Sequence, residues 1–181
     1  MQSIPQLGAV WETYWDQKRV NVLWPESYCA VRNSTGSTYY AALHYQIIAK
    51  ICVANYFLYN IGNKSQPLCE RCSSFVETVE HKFFTCWKVR AFWQKMKSFF
   101  EEYYITEDFT VTQVITGKTN TDIVNHAIVL GKAHIQNSDD IGSIRPFINK
   151  LSKDKETEKY VAILNGELTS FEKKWGVLCE L

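Results

Sequence analysis

The sequence has little glycine and proline, with eight and four among its 181 residues. Disordered and low-complexity chains are rich in these residues and poor in apolar ones. Here 46% of the residues are hydrophobic and 14% are aromatic, so the composition excludes a disordered tail. A chain of this length can bury an ordinary core without help from a metal ion, and we expect packed helices.

Long apolar runs are also missing. No segment approaches the run of about eighteen apolar residues that a membrane-spanning helix needs. The first residues, MQSIPQLGAVWETYW, lack the basic and apolar regions of a secretory signal. We therefore expect no membrane partner and an intracellular location, in the nucleus or the cytoplasm. Cysteines stay reduced there, and clustered cysteines more often bind metal or do chemistry than form disulfides.

Apolar residues recur at helical spacing in several parts of the chain. The first stripe predicts one helix from Tyr39 to Gly62, with Ser37 or Thr38 as its N-cap. A second helix follows Cys86, and a third begins near Thr121. The three stripes consist of Leu43, Ile47, Ile51, Ala54 and Leu58; of Val89, Phe92, Trp93, Met96, Phe99 and Phe100; and of Ile123, Ala127 and Leu130.

A fourth stripe, near the C-terminus, has the 3-4-3-4-3 spacing of a heptad seam over most of three heptads. Such a stripe packs either in the core of its own chain or against a partner helix, and we favour the core. Near the N-terminus, Val20 to Leu23 predicts a short extended segment that ends at Pro25. The residues of the fourth stripe are Val161, Leu164, Leu168, Phe171, Trp175 and Leu178.

Three of the six cysteines and one of the four histidines lie within eighteen residues, as C-x2-C-x8-H-x4-C. Zinc prefers four tetrahedral thiolate and imidazole ligands, and a C-x-x-C turn lets two thiolates point at one ion. With Thr78 as N-cap, a helix would place the histidine and the last cysteine a little over one turn apart. The pattern predicts a structural zinc site without an open coordination position, formed by Cys69, Cys72, His81 and Cys86.

The alternative is that these four residues are ordinary buried cysteines and a chance histidine. The remaining cysteines and histidines have no partner at ligand spacing. We interpret the cysteines, Cys29, Cys52 and Cys179, as small buried hydrophobic residues. We interpret the histidines, His44, His126 and His134, as packing or solvated residues.

The residues around the cluster carry a resemblance. The C-x2-C pair is followed by ETVEH at 77–81, by aromatic residues, by Cys86 and by the Phe92–Trp93 pair. This order resembles the zinc-binding region that follows the reverse transcriptase of non-LTR (LINE-type) retrotransposons. The segment LHYQIIAKICVANYFLYNIGNKSQPLC is similar to the helix and linker before the cysteines of that family, and IVLGKAHI, PFI and FEKKW are similar to its C-terminal tail. The likeness covers about Tyr39 to Leu178.

The resemblance implies a zinc-stabilised accessory module that binds RNA or DNA and helps to position template RNA and target DNA for the polymerase domain of a parent protein. Zinc knuckles bind single strands by stacking bases on aromatic residues while basic residues contact phosphates. Residues 61–100 contain seven basic and three acidic residues, and three thiolates around a zinc ion reduce that excess, so we expect weak, salt-sensitive binding. The candidate nucleic-acid-binding residues are Lys82, Lys88, Arg90, Lys95 and Lys97. The aromatic candidates for stacking, or for packing against the next helix, are Phe75, Phe83, Phe84 and Trp87.

Two other functions stay open. The zinc could serve only to orient helices that dock onto a polymerase domain, or the chain could self-associate through its C-terminal helix. A cysteine-dependent enzyme using Cys72 or Cys86 with His81 is disfavoured, because metal ligation removes the free thiolate that a nucleophile needs.

We expect no enzymatic activity from the chain by itself. A polymerase of the resembled family needs an aromatic-x-Asp-Asp turn, and the pair Asp139 and Asp140 lies in NSDDIG, which we interpret as a solvated turn. The residues before the first ligand are too few for an endonuclease domain, so we expect a terminal fragment, a truncated copy or a recruited remnant.

The predicted fold is mainly α: a helical domain with a small CCHC zinc-knuckle insert. We divide it into an N-terminal helical segment at 1–62, the knuckle and its following helix at 63–104, and a C-terminal helical segment at 105–181.

Overall fold

A computed structural model describes residues 24–178, and this part of the chain is mainly helical, as predicted. Between residues 24 and 178, no helix is both long and apolar enough to cross a membrane. A π-helical turn at His81–Thr85 precedes α4, and a 3-10 turn at Gly176–Leu178 follows α8. The predictions for Val20 to Leu23 and for Cys179 concern residues outside the described range. The helices are α1 (Trp24–Ser34), α2 (Thr38–Ile48), α3 (Asn55–Asn60), α4 (Trp87–Glu101), α5 (Val111–Thr116), α6 (Asp122–Asn137), α7 (Arg145–Asn165) and α8 (Leu168–Trp175).

Helix α6 lies at the centre of the fold, where it contacts α1, α2, α7, α8 and the π-helical turn. It begins at Asp122, close to the predicted start near Thr121, and the expected stripe is buried. The burial extends nearly all round the helix, and most of the buried residues are small or apolar. Gly131 shows why: a Cβ atom there would lie 2.9 Å from the ring of Trp93 on α4.

Helix α4 confirms the prediction of a helix directly after Cys86. All six residues of its apolar stripe are buried. The indole Nε1 of Trp93 donates a hydrogen bond to the backbone oxygen of Phe83, at 2.9 Å. This bond ties α4 to the segment that precedes it in the sequence.

The single helix predicted from Tyr39 to Gly62 is wrong, because the structure divides it into α2 and α3. Ser37 is the N-cap of α2, and its side chain accepts from the Tyr40 N–H. After Ile48 the chain turns through Lys50, whose φ of 54° lies in the left-handed region. Ile51, expected in the buried stripe, is 63% exposed.

The second half of that segment is held by side chains from elsewhere in the sequence. The Glu77 carboxylate accepts from the Asn55 N–H at 3.1 Å, so it stands at the start of α3. The Asn55 side chain donates to the Leu68 backbone oxygen at 2.7 Å, and the Tyr56 N–H donates to the Glu77 backbone oxygen. These bonds fix where the helix restarts.

The C-terminal stripe is also not one helix. Gly166, with a φ of 71°, ends α7, and α8 then packs against α7. The Glu158 carboxylate accepts from Lys174 and from the Trp175 indole, each at 2.7 Å. Trp175 and Leu178 are therefore in the core, as favoured, whereas the first part of the stripe, Val161, Leu164 and Leu168, is exposed.

Three elements were not predicted: α1, α5 and the first part of α7. Helix α5 has a capping box, since the Thr110 side chain accepts from the Gln113 N–H and the Gln113 side chain accepts from the Thr110 N–H. Helix α7 begins at Arg145 and buries Phe147 and Leu151. One hydrophobic cluster joins side chains from all three segments of the predicted division, and the division itself stays a prediction.

Lys132 on α6 is fully buried. Its Nζ lies 2.8 Å from His44 Nδ1 and 3.0 Å from the backbone oxygen of Ile115. A neutral amine has two N–H groups, and these two acceptors match them. Burial lowers the pKa of Lys132 well below its usual range. Burial, and then the charge of Lys132, also lower the pKa of His44 well below its usual range. Both shifts favour the neutral forms in the folded protein, as do the two acceptors around the amine.

This pair predicts that stability rises with pH. The pKa of Lys132 is lowered in the folded chain and is about 10.4 in the unfolded chain, so the unfolded chain binds more protons and the free energy of unfolding decreases as the pH falls below about 10.4. The slope is at most about 1.4 kcal/mol per pH unit for this group. Denaturant unfolding between neutral pH and pH 10 should give a slope of stability against pH that is more positive in wild type than in Lys132→Met. An equal slope in the two proteins would contradict the assignment, and Lys173→Met, at an exposed lysine, is the control that should keep it.

Candidate metal centre

A short hairpin presents Cys69 and Cys72. An antiparallel bridge pairs Leu68 with Val76, and the Cys69 N–H donates to the Phe75 backbone oxygen at 2.8 Å. Inside it, the Ser73 N–H donates to the Cys69 backbone oxygen at 2.7 Å, and Ser73 has a left-handed φ of 54°. This is the tight turn expected from C-x-x-C, and it directs both sulfurs to one side.

The other two cluster residues come from the π-helical turn. Thr78 caps the two helical residues that lead into this turn, as predicted, because its side chain accepts from the His81 N–H at 3.2 Å. The Cys86 N–H donates to the His81 backbone oxygen at 3.1 Å, which is the five-residue step of a π-helix. In an α-helix these residues would point about 140° apart. The expected ordinary helix is therefore corrected: the wider turn brings the pair to one side.

The four side chains converge. The ligand atoms of Cys69, Cys72, His81 and Cys86 all lie within 4.8 Å of one another, and Cys72 Sγ is 3.3 Å from His81 Nε2. Zinc bonds of about 2.0–2.3 Å place tetrahedral ligands roughly 3.3–3.8 Å apart. Small side-chain movements would close the set on one ion. The residues therefore fit a metal ion with thiolate and imidazole preferences, with no fifth donor required.

Neighbouring groups orient the histidine. Thr85 Oγ1 lies 3.4 Å from His81 Nδ1, so it can accept a hydrogen bond from Nδ1–H, which leaves Nε2 as the ligand atom. Metal-binding histidines usually have such a partner on the second nitrogen. Burial lowers the pKa of His81, against an opposing effect of Glu77. The imidazole is thus neutral and ready to bind a cation.

The thiols differ in their environments. Burial raises the pKa of Cys69 to about 12, so without a metal it is a thiol. Burial also opposes ionisation of Cys72, but the N–H groups of Ser74 and Phe75 outweigh it and lower the pKa of Cys72. A metal ion must displace protons from these thiols, so binding weakens as the pH falls.

The hairpin is attached to the centre of the fold by Arg71. Its guanidinium donates to the backbone oxygens of Ile135 and Ser138, at the C-terminal end of α6. A cation in the last turn of a helix stabilises its free carbonyls. Arg71, Glu77 and Asn55 are therefore structural residues of this region that sequence reasoning missed, because their partners are distant in the sequence.

The candidate nucleic-acid residues do not form one surface. Lys88 and Lys95 lie seven residues apart on one flank of α4, and Arg90 and Lys97 lie seven apart on another flank, about 200° away around the helix axis. Lys82 is partly buried, and its Nζ donates to the Val53 backbone oxygen at 2.9 Å. Burial lowers the pKa of Lys82.

The four basic residues of α4 also differ in their hydrogen-bond and ion-pair partners. Lys97 pairs with Asp108 and lies 3.9 Å from Glu101, and Lys95 donates to the Gly142 backbone oxygen. Lys88 and Arg90 are exposed. In the described part of the chain, these two have no acidic partner within ion-pair distance.

The four aromatic candidates fall into two groups. Phe83 and Phe84 are buried, so they pack, whereas Phe75 and Trp87 are 61% and 58% exposed. Lys88 Nζ lies 5.5 Å from the centroid of the Trp87 ring. The surface next to the cluster therefore presents two aromatic faces to solvent.

The other single residues mostly match their interpretation. Cys52 is buried, as expected, but Cys29 is exposed, because it lies on the outer side of α1. His44 and His126 are buried, and His134 packs against the Phe92 ring. Asp139 and Asp140 are exposed in a turn, where the Asp140 carboxylate accepts from the Gly142 N–H at 2.7 Å.

Comparisons of this chain with family models, with curated proteins and with solved structures give no match.

The cluster predicts about one bound metal ion per chain. Cys69→Ser should lose most of the metal, because it removes a thiolate that is 99% buried among the other three ligands. Cys29→Ser, at the exposed cysteine of α1, is the matched control and should keep the metal. Elemental analysis of the purified variants measures both. Equal metal content in the two variants would contradict the assigned ligands.

Proposed function

We propose that Cys69, Cys72, His81 and Cys86 hold one zinc ion as a CCHC zinc knuckle. We further propose that the chain is a non-catalytic accessory module of a non-LTR retrotransposon reverse transcriptase, and that it binds single-stranded RNA or DNA. The convergence of four donors supports the first part. The likeness of the sequence to that family's zinc-binding region supports the second. A bound ion would supply a cross-link between the hairpin and the π-helical turn.

The exposed Trp87 next to the cluster is the observation that carries the proposal. It directly follows Cys86, which is fully buried, so its backbone is anchored while 58% of the residue is in solvent. An anchored indole is a ready platform for a nucleobase, and stacking contributes roughly 1–3 kcal/mol per base. Lys88, close to the same ring, is placed to contact an adjacent phosphate.

The positions of the basic residues on α4 indicate where a bound RNA or DNA strand would lie. A groove of about 450 Å³ lies between α4 and residues 139–142, and its walls include Trp87, Lys88 and Lys95. Asp139 and Asp140 line the same groove and oppose phosphate binding. The affinity is therefore weak and decreases as salt increases. Arg90 and Lys97 face away from this groove, on the other flank.

Titration of a short single-stranded RNA at several salt concentrations tests the proposal. Trp87→Ala should weaken binding about five- to 150-fold, the equivalent of one lost stacked base. Lys88→Gln should reduce the slope of log K against log salt by about 0.7, because one phosphate contact is lost. Arg90→Gln, on the opposite flank, should change the slope little.

A surface aromatic far from the cluster in sequence provides the control. Tyr104 is 95% exposed and has a left-handed φ of 61°, which asparagine tolerates. Tyr104→Asn should therefore bind RNA like the wild type. If Tyr104→Asn and Trp87→Ala weaken binding equally, Trp87 is not a stacking platform and the proposal fails.

Docking onto a polymerase domain is the second candidate function. Helix α3 favours it, since Tyr56, Phe57 and Tyr59 are 49%, 53% and 46% exposed on six residues of helix. Aromatic residues are enriched at protein interfaces. A chain that carries its metal yet shows no RNA binding at low salt would favour this candidate over the first.

A further inference from the structure

The four donors of the candidate metal centre differ in their access to solvent. Cys69, His81 and Cys86 are 1%, 6% and 0% exposed, whereas Cys72 is partly exposed. The ligand atoms of all four lie within 4.8 Å of one another. A small molecule that diffuses to the cluster therefore meets the sulfur of Cys72 first, and two other cysteine sulfurs lie directly beside it.

Exposure and metal ligation together make Cys72 sensitive to oxidation. A bound ion would hold its sulfur ligands as thiolates. The thiolate is the form of cysteine that oxidants attack, and the site of oxidation follows thiolate character and exposure. Cys72 combines the two properties. Cys29 is exposed but lies outside the cluster, on α1, and Cys52 is buried outside it.

We propose that Cys72 is the oxidation site of the cluster, and that hydrogen peroxide converts Cys72 and Cys69 to a disulfide and releases the metal ion. This inference rests on the proposed zinc site. The Cys72 sulfur attacks one peroxide oxygen, the O–O bond breaks, and Cys72 becomes a sulfenic acid while hydroxide leaves and takes up a proton. The Cys69 thiolate then attacks the Cys72 sulfur, the S–O bond breaks, and a second hydroxide leaves and takes up a proton. Two thiolates, one peroxide and two protons thus give one disulfide and two water molecules, and the two electrons lost by the sulfurs reduce the peroxide.

The backbone of the hairpin selects Cys69, rather than Cys86, as the second sulfur. Cys69 and Cys72 belong to one tight turn, which is closed by the bonds from the Ser73 N–H to the Cys69 oxygen and from the Cys69 N–H to the Phe75 oxygen. These bonds do not involve a metal, so the two sulfurs stay together when the ion leaves. Cys86 follows the π-helical turn, which the ion would join to the hairpin. Loss of the ion therefore frees Cys86 from Cys72 but leaves Cys69 beside it.

The expected change is local. A disulfide uses two of the four donors, and the remaining pair, His81 and Cys86, is too small a set for a structural zinc site. The bonds of the Arg71 guanidinium to the end of α6 do not depend on the cluster, so the hairpin stays attached to the fold. What is lost is the cross-link between the hairpin and the turn that precedes Trp87.

Peroxide treatment of the full chain, loaded with zinc and freed of reductant, tests the proposal. A chromogenic chelator follows zinc release, and mass spectrometry of tryptic peptides maps the disulfide. Trypsin cleaves after Arg71 and Lys82, so Cys69, Cys72 and Cys86 lie on three different peptides. Wild type should release its zinc and link the first two of these peptides, and dithiothreitol should restore zinc binding. Circular dichroism should show an intact helical fold.

Two variants test the role of Cys72. Cys72→His keeps a donor that zinc accepts but removes the exposed sulfur, so zinc release should be about tenfold slower or more at the same peroxide concentration. Cys29→Ser removes an exposed cysteine outside the cluster and should release zinc at the wild-type rate. Equal release rates in the three proteins overturn the proposal. If Cys72→His takes up no zinc, the peptide map of the wild type decides.

The outcomes separate this inference from the proposed zinc site. A wild-type chain that takes up no zinc before peroxide is added contradicts the zinc site itself. A loaded chain that keeps its zinc while peroxide oxidises Cys29 overturns only the oxidation proposal. A first disulfide that joins Cys69 to Cys86 also overturns it, and a first disulfide between Cys72 and Cys86 overturns the choice of Cys69.

Discussion

One backbone hydrogen bond, from the Cys86 N–H to the His81 carbonyl, determines whether the cluster exists. Its five-residue step widens the helix by one residue and turns a pair that would diverge into a pair that faces the hairpin. Cys86 ends the wide turn and directly precedes α4. The buried stripe of α4 fixes the position of this helix against α6. The geometry of the cluster is therefore set by the packing of α4 as well as by the local sequence.

The central helix α6 connects the rest. Helix α4 packs closely against it at Gly131, because glycine has no side chain there. Helix α6 also buries Lys132 in a setting that suits only a neutral amine. A helix that carries such a residue in its interior gives up stability at neutral pH.

Regular periodicity was predictable from the sequence, and interruptions by distant contacts were not. The stripe of α4 and the start of α6 follow from spacing and capping alone. The break between α2 and α3 depends on Glu77, twenty-two residues from the Asn55 N–H that it binds, and no local pattern contains that contact. The end of α7 did have a local signal, Asn165–Gly166, which the heptad spacing of the flanking residues obscured. The burial of Lys132 depends on His44, eighty-eight residues away.

The candidate site, too, was predictable from the sequence only in part. Ligand spacing identified the four residues that converge, because thiolates and imidazole at that spacing have few other uses. The charge count around them identified basic residues but not their partners: Lys82 and Lys95 donate to carbonyls, and Lys97 pairs with carboxylates. Only a structure separates a cation that holds the fold from one that is free to meet a ligand.

Arg71 illustrates a consequence of that separation. Because its guanidinium joins the cysteine hairpin to the carbonyls at the end of α6, local opening of either one removes a contact of the other. The hairpin and the last turn of α6 then behave as a single cooperative unfolding unit. Arg71 thus links the cysteine hairpin directly to the central helix, and a lysine could not replace it because it lacks the fork of fixed donors.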